Sequence, residues 1–140
     1  MFSAGATLFL AIIFAGVRPN VDLPGLLMIL LTLFLTALGI ISMMTAYAVR
    51  APNRDVYQFT LFPINMILYF TSGAIYPIQG FPSWMRQIAI INPEAYAVHA
   101  LRLLMYKSAT LPAVLGDFAF LSVFTTIMLA LATLAFRRGL

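Results

Sequence analysis

Apolar residues run through this chain in long blocks, and nearly every charge falls at a break between blocks. Met1–Val17 is uncharged and closes at Arg18-Pro19-Asn20, and Leu23–Val49 is uncharged and closes at Arg50. Val56–Tyr76 is the third run, with Asp55 as its predicted N-cap and Pro63 as its predicted kink. Phe118–Phe136 is the fourth, closed by Arg137-Arg138. A helix needs about 20 mainly apolar residues to cross a bilayer. The pattern therefore predicts spans over about 1–17, 23–49, 56–76 and 113–136. Met1–Val17 is slightly short for a crossing, as a span missing its first residues would be. It has no basic n-region and no small-residue cleavage site, so it does not read as a signal peptide.

Between the last two spans the pattern changes. Ser72–Tyr106 is too polar and too broken to cross, yet too apolar to be a solvent loop. A crossing over 86–106 would bring Arg86, Asn92, Glu94, His99 and Arg102 to membrane depth. Each ionised residue at a span centre costs about 2.5–3.5 kcal/mol, and Pro93 would break the helix besides. The segment divides instead at Asn92-Pro93 into short helices over about 83–91 and 93–106. In the first, Trp84, Ile88 and Ile91 share a face with Arg86 and Gln87 turned away. In the second, Asn92 caps, Pro93 takes the first helical position and Glu94 answers the positive helix end, with Lys107 suited to the opposite end. Tyr76-Pro77 and Gly80-Phe81-Pro82 supply the turns that enter this pair. Irregular backbone of this kind is tolerated in a membrane only where protein or water satisfies it.

Composition changes the picture by exclusion. The 140 residues are 63% hydrophobic and 9% charged, against roughly 25% charged in a soluble domain. The fold class predicted is an all-α integral membrane protein, a single transmembrane domain over 1–140 with about four spans and a re-entrant or interfacial helix pair. Eight basic and four acidic residues give +4, a balance that suits a cytoplasmic membrane face better than nucleic acid. With no cysteine there is no disulfide framework and no thiolate metal site. No GxxxxGK[ST] loop occurs, so the chain is not predicted to hydrolyse ATP itself. No paired carboxylates, Ser–His–acid spacing or metal-ligand cluster stands out; no catalytic residue, cofactor or metal is expected. Counting Lys and Arg does not orient the spans. Arg50, Arg54, Arg137 and Arg138 fall on one side; Arg18, Arg86, Arg102 and Lys107 fall on the other.

The run SGAIYPIQGFPSWMRQIAIINPEAYAVHALR resembles the signature region of ABC-2 type transporter permeases, the membrane subunits of ATP-driven exporters. Their pattern is a span ending in an SG…(F/Y)P turn, an (L/F)P.W helix start, then NP followed by (Y/H)..(D/H).(L/I)R. The matching positions are Ser72, Gly73, Pro77, Phe81, Pro82, Trp84, Asn92, Pro93, Tyr96, His99 and Arg102. The resemblance implies that this chain is the second half of such a permease, carrying its last four spans, with the short helices on the outer face. It implies a separate ABC ATPase subunit that dimerises on ATP, a second permease copy, contact with membrane lipid and no nucleic-acid partner. It places the tail and Arg50–Asp55 inside, in a bacterial or archaeal cell membrane, and suggests a drug, lipid or lipid-linked glycan as cargo. The alternative is a truncated or vestigial membrane scaffold that transports nothing. A secondary transporter ranks lower, because no inverted repeat or mid-span charge pair is present.

Several residues carry two readings. Glu94 and Arg102 lie eight apart, on one helix face but out of reach of each other. They serve either as a gating or substrate-path element or as interfacial packing, with Arg102 snorkelling. His99, of the side-chain type that titrates near neutrality, reads more readily as a structural polar contact than as a metal ligand. Trp84, Tyr76 and Tyr96 read as aromatic-belt anchors before they read as a ligand-stacking set. Gly39 and Gly73 are candidates for close helix approach, and the methionines, Met43-Met44 among them, for adaptable packing. Arg50 and Arg54 mark a turn that could touch an ATPase or could simply be solvated.

Overall fold

The computed structural model describes residues 23–106 and 111–139. The expected first span over 1–17 and the helix-end role assigned to Lys107 lie outside the described residues. Helix α1 (Leu23–Ala48) is followed by α2 (Arg54–Thr71), a 3₁₀ turn (Ile78–Gly80), α3 (Ser83–Ile91), α4 (Pro93–Tyr106) and α5 (Leu111–Gly139). Among the described residues the chain is all-helical, with no strand.

Two helices, Leu23–Ala48 and Leu111–Arg137, are long and apolar enough to cross a membrane. At ~1.5 Å per residue they reach about 39 Å and about 40 Å, beyond the ~30 Å hydrocarbon thickness. Helix α2 has 18 residues and carries Arg54, Asp55, Gln58 and Asn65 among its apolar positions. It ends at Thr71, and the stretch from Ser72 to Tyr76 that the pattern assigned to the third span is a turn. Its N-cap is Asn53, whose side chain accepts from the Val56 amide at 2.8 Å. Asp55 sits in the first turn rather than capping it, because the chain enters the helix two residues earlier than the charge pattern suggested. The helix continues through Pro63.

Helices α1 and α5 form the main packed pair. Gly39 makes this possible: a Cβ there would stand 2.8 Å from the Phe124 ring and 2.9 Å from the Thr125 hydroxyl. The Thr125 hydroxyl donates across the pair to the Leu35 carbonyl at 2.9 Å. Other hydroxyls are satisfied inside their own helices, as with Thr32 on Met28 O and Ser42 on Leu38 O, the usual solution where water is absent. Helix α4 completes the core, with Ala100 and Leu104 packed against Ile29 of α1 and Val114 and Phe118 of α5. At the far end, Tyr47 and Tyr57 stack at 6.0 Å across the turn holding Arg50 and Arg54.

Candidate functional site: the corner between the short helices

The corner at Asn92 is built from unsatisfied helix ends. A helix leaves its last carbonyls and first amides without partners, and away from water each needs a donor or acceptor from the protein. Asn92 is 1% exposed and serves two helices at once. Its Nδ2 donates to the Leu68 carbonyl at 2.7 Å and to the Thr71 hydroxyl at 2.9 Å, closing the end of α2. Its Oδ1 accepts from the Glu94 amide at 2.9 Å, capping α4. Pro93 then occupies the first helical position, where a missing N–H costs nothing.

Neighbouring groups finish the same task. The Ser72 hydroxyl donates to Tyr69 O at 2.6 Å, and the Arg102 guanidinium reaches back to Gly73 O at 3.1 Å. Gly73 has φ +78°, and a Cβ on it would meet Ile78 Cγ1 at 2.9 Å. Only glycine takes this conformation without strain, so the turn after α2 depends on it. Gly73 is thus a turn residue, whereas Gly39 provides the close helix approach. The Tyr96 hydroxyl donates to Ile90 O at 2.8 Å near the end of α3, and its ring stacks on Phe120 of α5 at 3.8 Å. Tyr96 is half-buried, with both its ring and its hydroxyl engaged by the protein. Arg86 donates to Gln79 O and Phe81 O, both at 3.2 Å, and holds the 3₁₀ turn against α3. No side-chain nitrogen or oxygen among the described residues is buried without a partner.

Some expected arrangements differ. In α3 the inward side chain is Ala89, whereas Trp84 (63% exposed) and Ile91 face outward. Ala89 is buried beside the cavity described below, and the bulky residues are left for surroundings outside the fold. Glu94 and Arg102 do not meet, and the exposed Arg102 donates to Gly73 O. Burial pushes the Glu94 carboxyl above the usual carboxylate range, opposing the helix-end attraction expected for it. Pro77 and Pro82 precede the 3₁₀ turn and α3, and Phe81 between them is buried. Tyr76, Arg50 and Arg54 are exposed.

Asp117 is the residue that the sequence pattern passed over. Helix α5 starts at Leu111 and carries it into the second turn. There its Oδ2 lies 2.8 Å from His99 Nδ1, the one ion-pair contact among the described residues. An acid placed six residues into an apolar helix was the available signal. Beside this pair lies a cavity of about 290 Å³, bounded by Arg86, Ala89, Tyr96, His99 and Asp117 and mostly apolar in its walls. No group of three or more potential metal ligands occurs among the described residues.

The corner, the glycine turn and the arginine clasp thus form one unit built on the residues of the SG…NP…R pattern. Residues 1–106 match the ABC-2 type transporter family. The chain belongs to that family. It is 30% identical over 99 residues to transport permease ycf38 of Cyanophora paradoxa, covering 69% of this chain and 34% of that protein. It is 27% identical over 93 residues to the protein of the same name from Porphyra purpurea, covering 66% of this chain and 32% of that one. The linearmycin resistance permease protein LnrN of Bacillus subtilis is 30% identical over 117 residues, or 84% of this chain and 28% of LnrN. The chain spans about a third of the length of these relatives. No solved structure matches it. Family membership and the two long apolar helices together point to an integral membrane protein.

Proposed function

We propose that this chain forms part of the membrane-spanning permease of an ATP-driven exporter, with the α3–α4 pair as its outer gate. The observation that carries the reading is the Asn92 corner, where one buried amide closes α2 and opens α4. A helix pair that satisfies its own ends can enter a membrane from one face without crossing it. Helices α1, α2 and α5 act as three spans, with the expected span over 1–17 as the fourth. The turn carrying Arg50 and Arg54 and the basic tail face the cytoplasm.

A separate ABC ATPase supplies the energy, and a second permease copy lines the other side of the path. The relative LnrN is named for resistance to linearmycin, which favours a drug among the cargo classes of drug, lipid and lipid-linked glycan for this chain. The exposed apolar faces of α2 and α3, with Phe59, Phe62, Trp84 and Ile91 outward, suit contact with lipid or with other parts of the permease. The test is isolation of the native complex from its own membranes through a tag after Leu140. Co-purification of an ATPase with a phosphate-binding loop supports the reading. A membrane protein recovered without any ATPase contradicts it and leaves a scaffold that transports nothing.

A further inference from the structure

The pattern gives no role to Asp117, and the corner does not use His99. We propose that His99 and Asp117 together form a proton-binding site that sets how firmly the outer helix α4 is held on α5. The inference rests on the gate reading for its meaning, though not for its test.

Asp117 belongs to α5 and His99 to α4, and their contact at 2.8 Å is a direct polar tie between these two helices. The two ends are differently placed: the Asp117 side chain is 9% exposed, whereas that of His99 is 59% exposed. The carboxylate is held inside the protein while the imidazole exchanges protons with the medium outside. A carboxylate can only accept, so Nδ1 carries the hydrogen and Nε2 is left free to take up a second proton.

Histidine is the side chain whose charge ordinarily changes between pH 5 and 8. With the ring protonated, the contact is a charge-assisted hydrogen bond; with the ring neutral, it is an ordinary one and weaker. The tie is therefore firmer below the histidine range than above it.

Other charged and titratable groups near the pair do not replace either partner. Arg86 of α3 borders the same cavity, but its guanidinium is bonded to Gln79 O and Phe81 O. On α4 itself, Arg102 is directed to Gly73 O. Glu94 lies five residues before His99, across the helix from it. Tyr96 is bonded to Ile90 O and stacked on Phe120. Among the described residues the pair makes no further ion-pair contact. An acidic medium on the outer side would then hold α4 down, and a neutral one would release it.

Hydrogen–deuterium exchange of peptides covering 93–106 tests this in the full chain in lipid nanodiscs. Exchange is compared at about pH 5.5 and about pH 8, after the intrinsic pH dependence of amide exchange is divided out. In the unaltered chain, opening of α4 should be roughly three- to tenfold more frequent at the higher pH, a modest range because His99 is solvent-screened. His99→Gln, which keeps an uncharged donor, should abolish the difference, and so should Asp117→Asn. His99 is largely exposed, so its variant stays informative even if Asp117→Asn fails to fold. A flat response in the unaltered chain, or an undiminished one in His99→Gln, overturns the proposal. Export is not the readout, so failure of the gate reading and failure of the proton site would be seen separately.

Discussion

Asn92 donates through Nδ2 to the carbonyl of Leu68 at 2.7 Å, across 24 residues of sequence. The same amide caps α4 through Oδ1, so the position needs a donor and an acceptor fixed in one plane. Asparagine is the shortest side chain that offers the two on separate atoms of one plane. Asn92→Ala should lower stability by about 2–4 kcal/mol, since it leaves a buried carbonyl and a helix-end amide without partners. Asn92→Asp keeps the acceptor but turns an oxygen toward Leu68 O, and it should be no better than alanine. Thermal unfolding of the two variants in the same detergent decides this. Stability of the aspartate variant close to that of the original would show that the Leu68 contact contributes little.

Gly73 tests the turn in a different way. Its φ of +78° and the 2.9 Å approach of Ile78 act against any side chain. Gly73→Ala should cost about 1–3 kcal/mol through backbone strain. A second change, Ile78→Ala, removes the clash but not the strain and should recover only part of the loss. Full recovery would assign the whole effect to the side-chain clash.

Helix packing gives a third expectation. Gly39→Ala would push a methyl group into the Phe124 ring and the Thr125 hydroxyl. It should destabilise by about 1–3 kcal/mol. Thr125→Val removes the bond to Leu35 O and should cost only about 0.6 kcal/mol, the usual value for an interhelical hydrogen bond in a membrane protein. Equal losses in the two variants would contradict close packing as the larger effect.

The rest of the fold shows where sequence patterning carries information and where it does not. The break at Asn92-Pro93 was readable because an N-cap residue before a proline leaves few backbone choices. The apolar blocks of α1 and α5 were readable from length alone. The end of α2 was not: Thr71 through Tyr76 continues as mixed small and apolar residues, and only the positive φ of Gly73 turns the chain. The partners of Arg102 and Asp117 were also hidden, because Gly73 O and His99 reach them through tertiary packing that no spacing encodes. Trp84 and Ile91 do lie on the exposed side of α3, while the packed residue, Ala89, carried no signal in the pattern. In a membrane the apolar face of a short helix need not be its packed face, so the periodicity that finds soluble cores loses its meaning.

Glu94 supplies a pH expectation with a definite sign. Burial raises its folded-state pKa above the ordinary 4.5, so the folded state binds the proton more tightly than the unfolded one. Below 4.5 this group carries no penalty. Stability then falls as pH rises from there through the raised value, and stays lower above it. Glu94→Gln should therefore flatten this part of the stability profile and raise stability at neutral pH. A profile that keeps the same slope in the glutamine variant would assign the dependence to another group.

The central claim is that the corner unit lies at one face of the membrane and the Arg50–Arg54 turn at the other. The chain contains no cysteine, so single cysteines can be introduced without any background. Gln79 is exposed in the 3₁₀ turn, and Arg54 and Arg137 are exposed at the opposite end. Intact cells bearing Gln79→Cys, Arg54→Cys or Arg137→Cys would be treated with a membrane-impermeant maleimide before and after permeabilisation. The account predicts that Gln79→Cys labels in intact cells, while Arg54→Cys and Arg137→Cys label only once the membrane is opened. Labelling of Gln79→Cys and Arg54→Cys from the same side would contradict it.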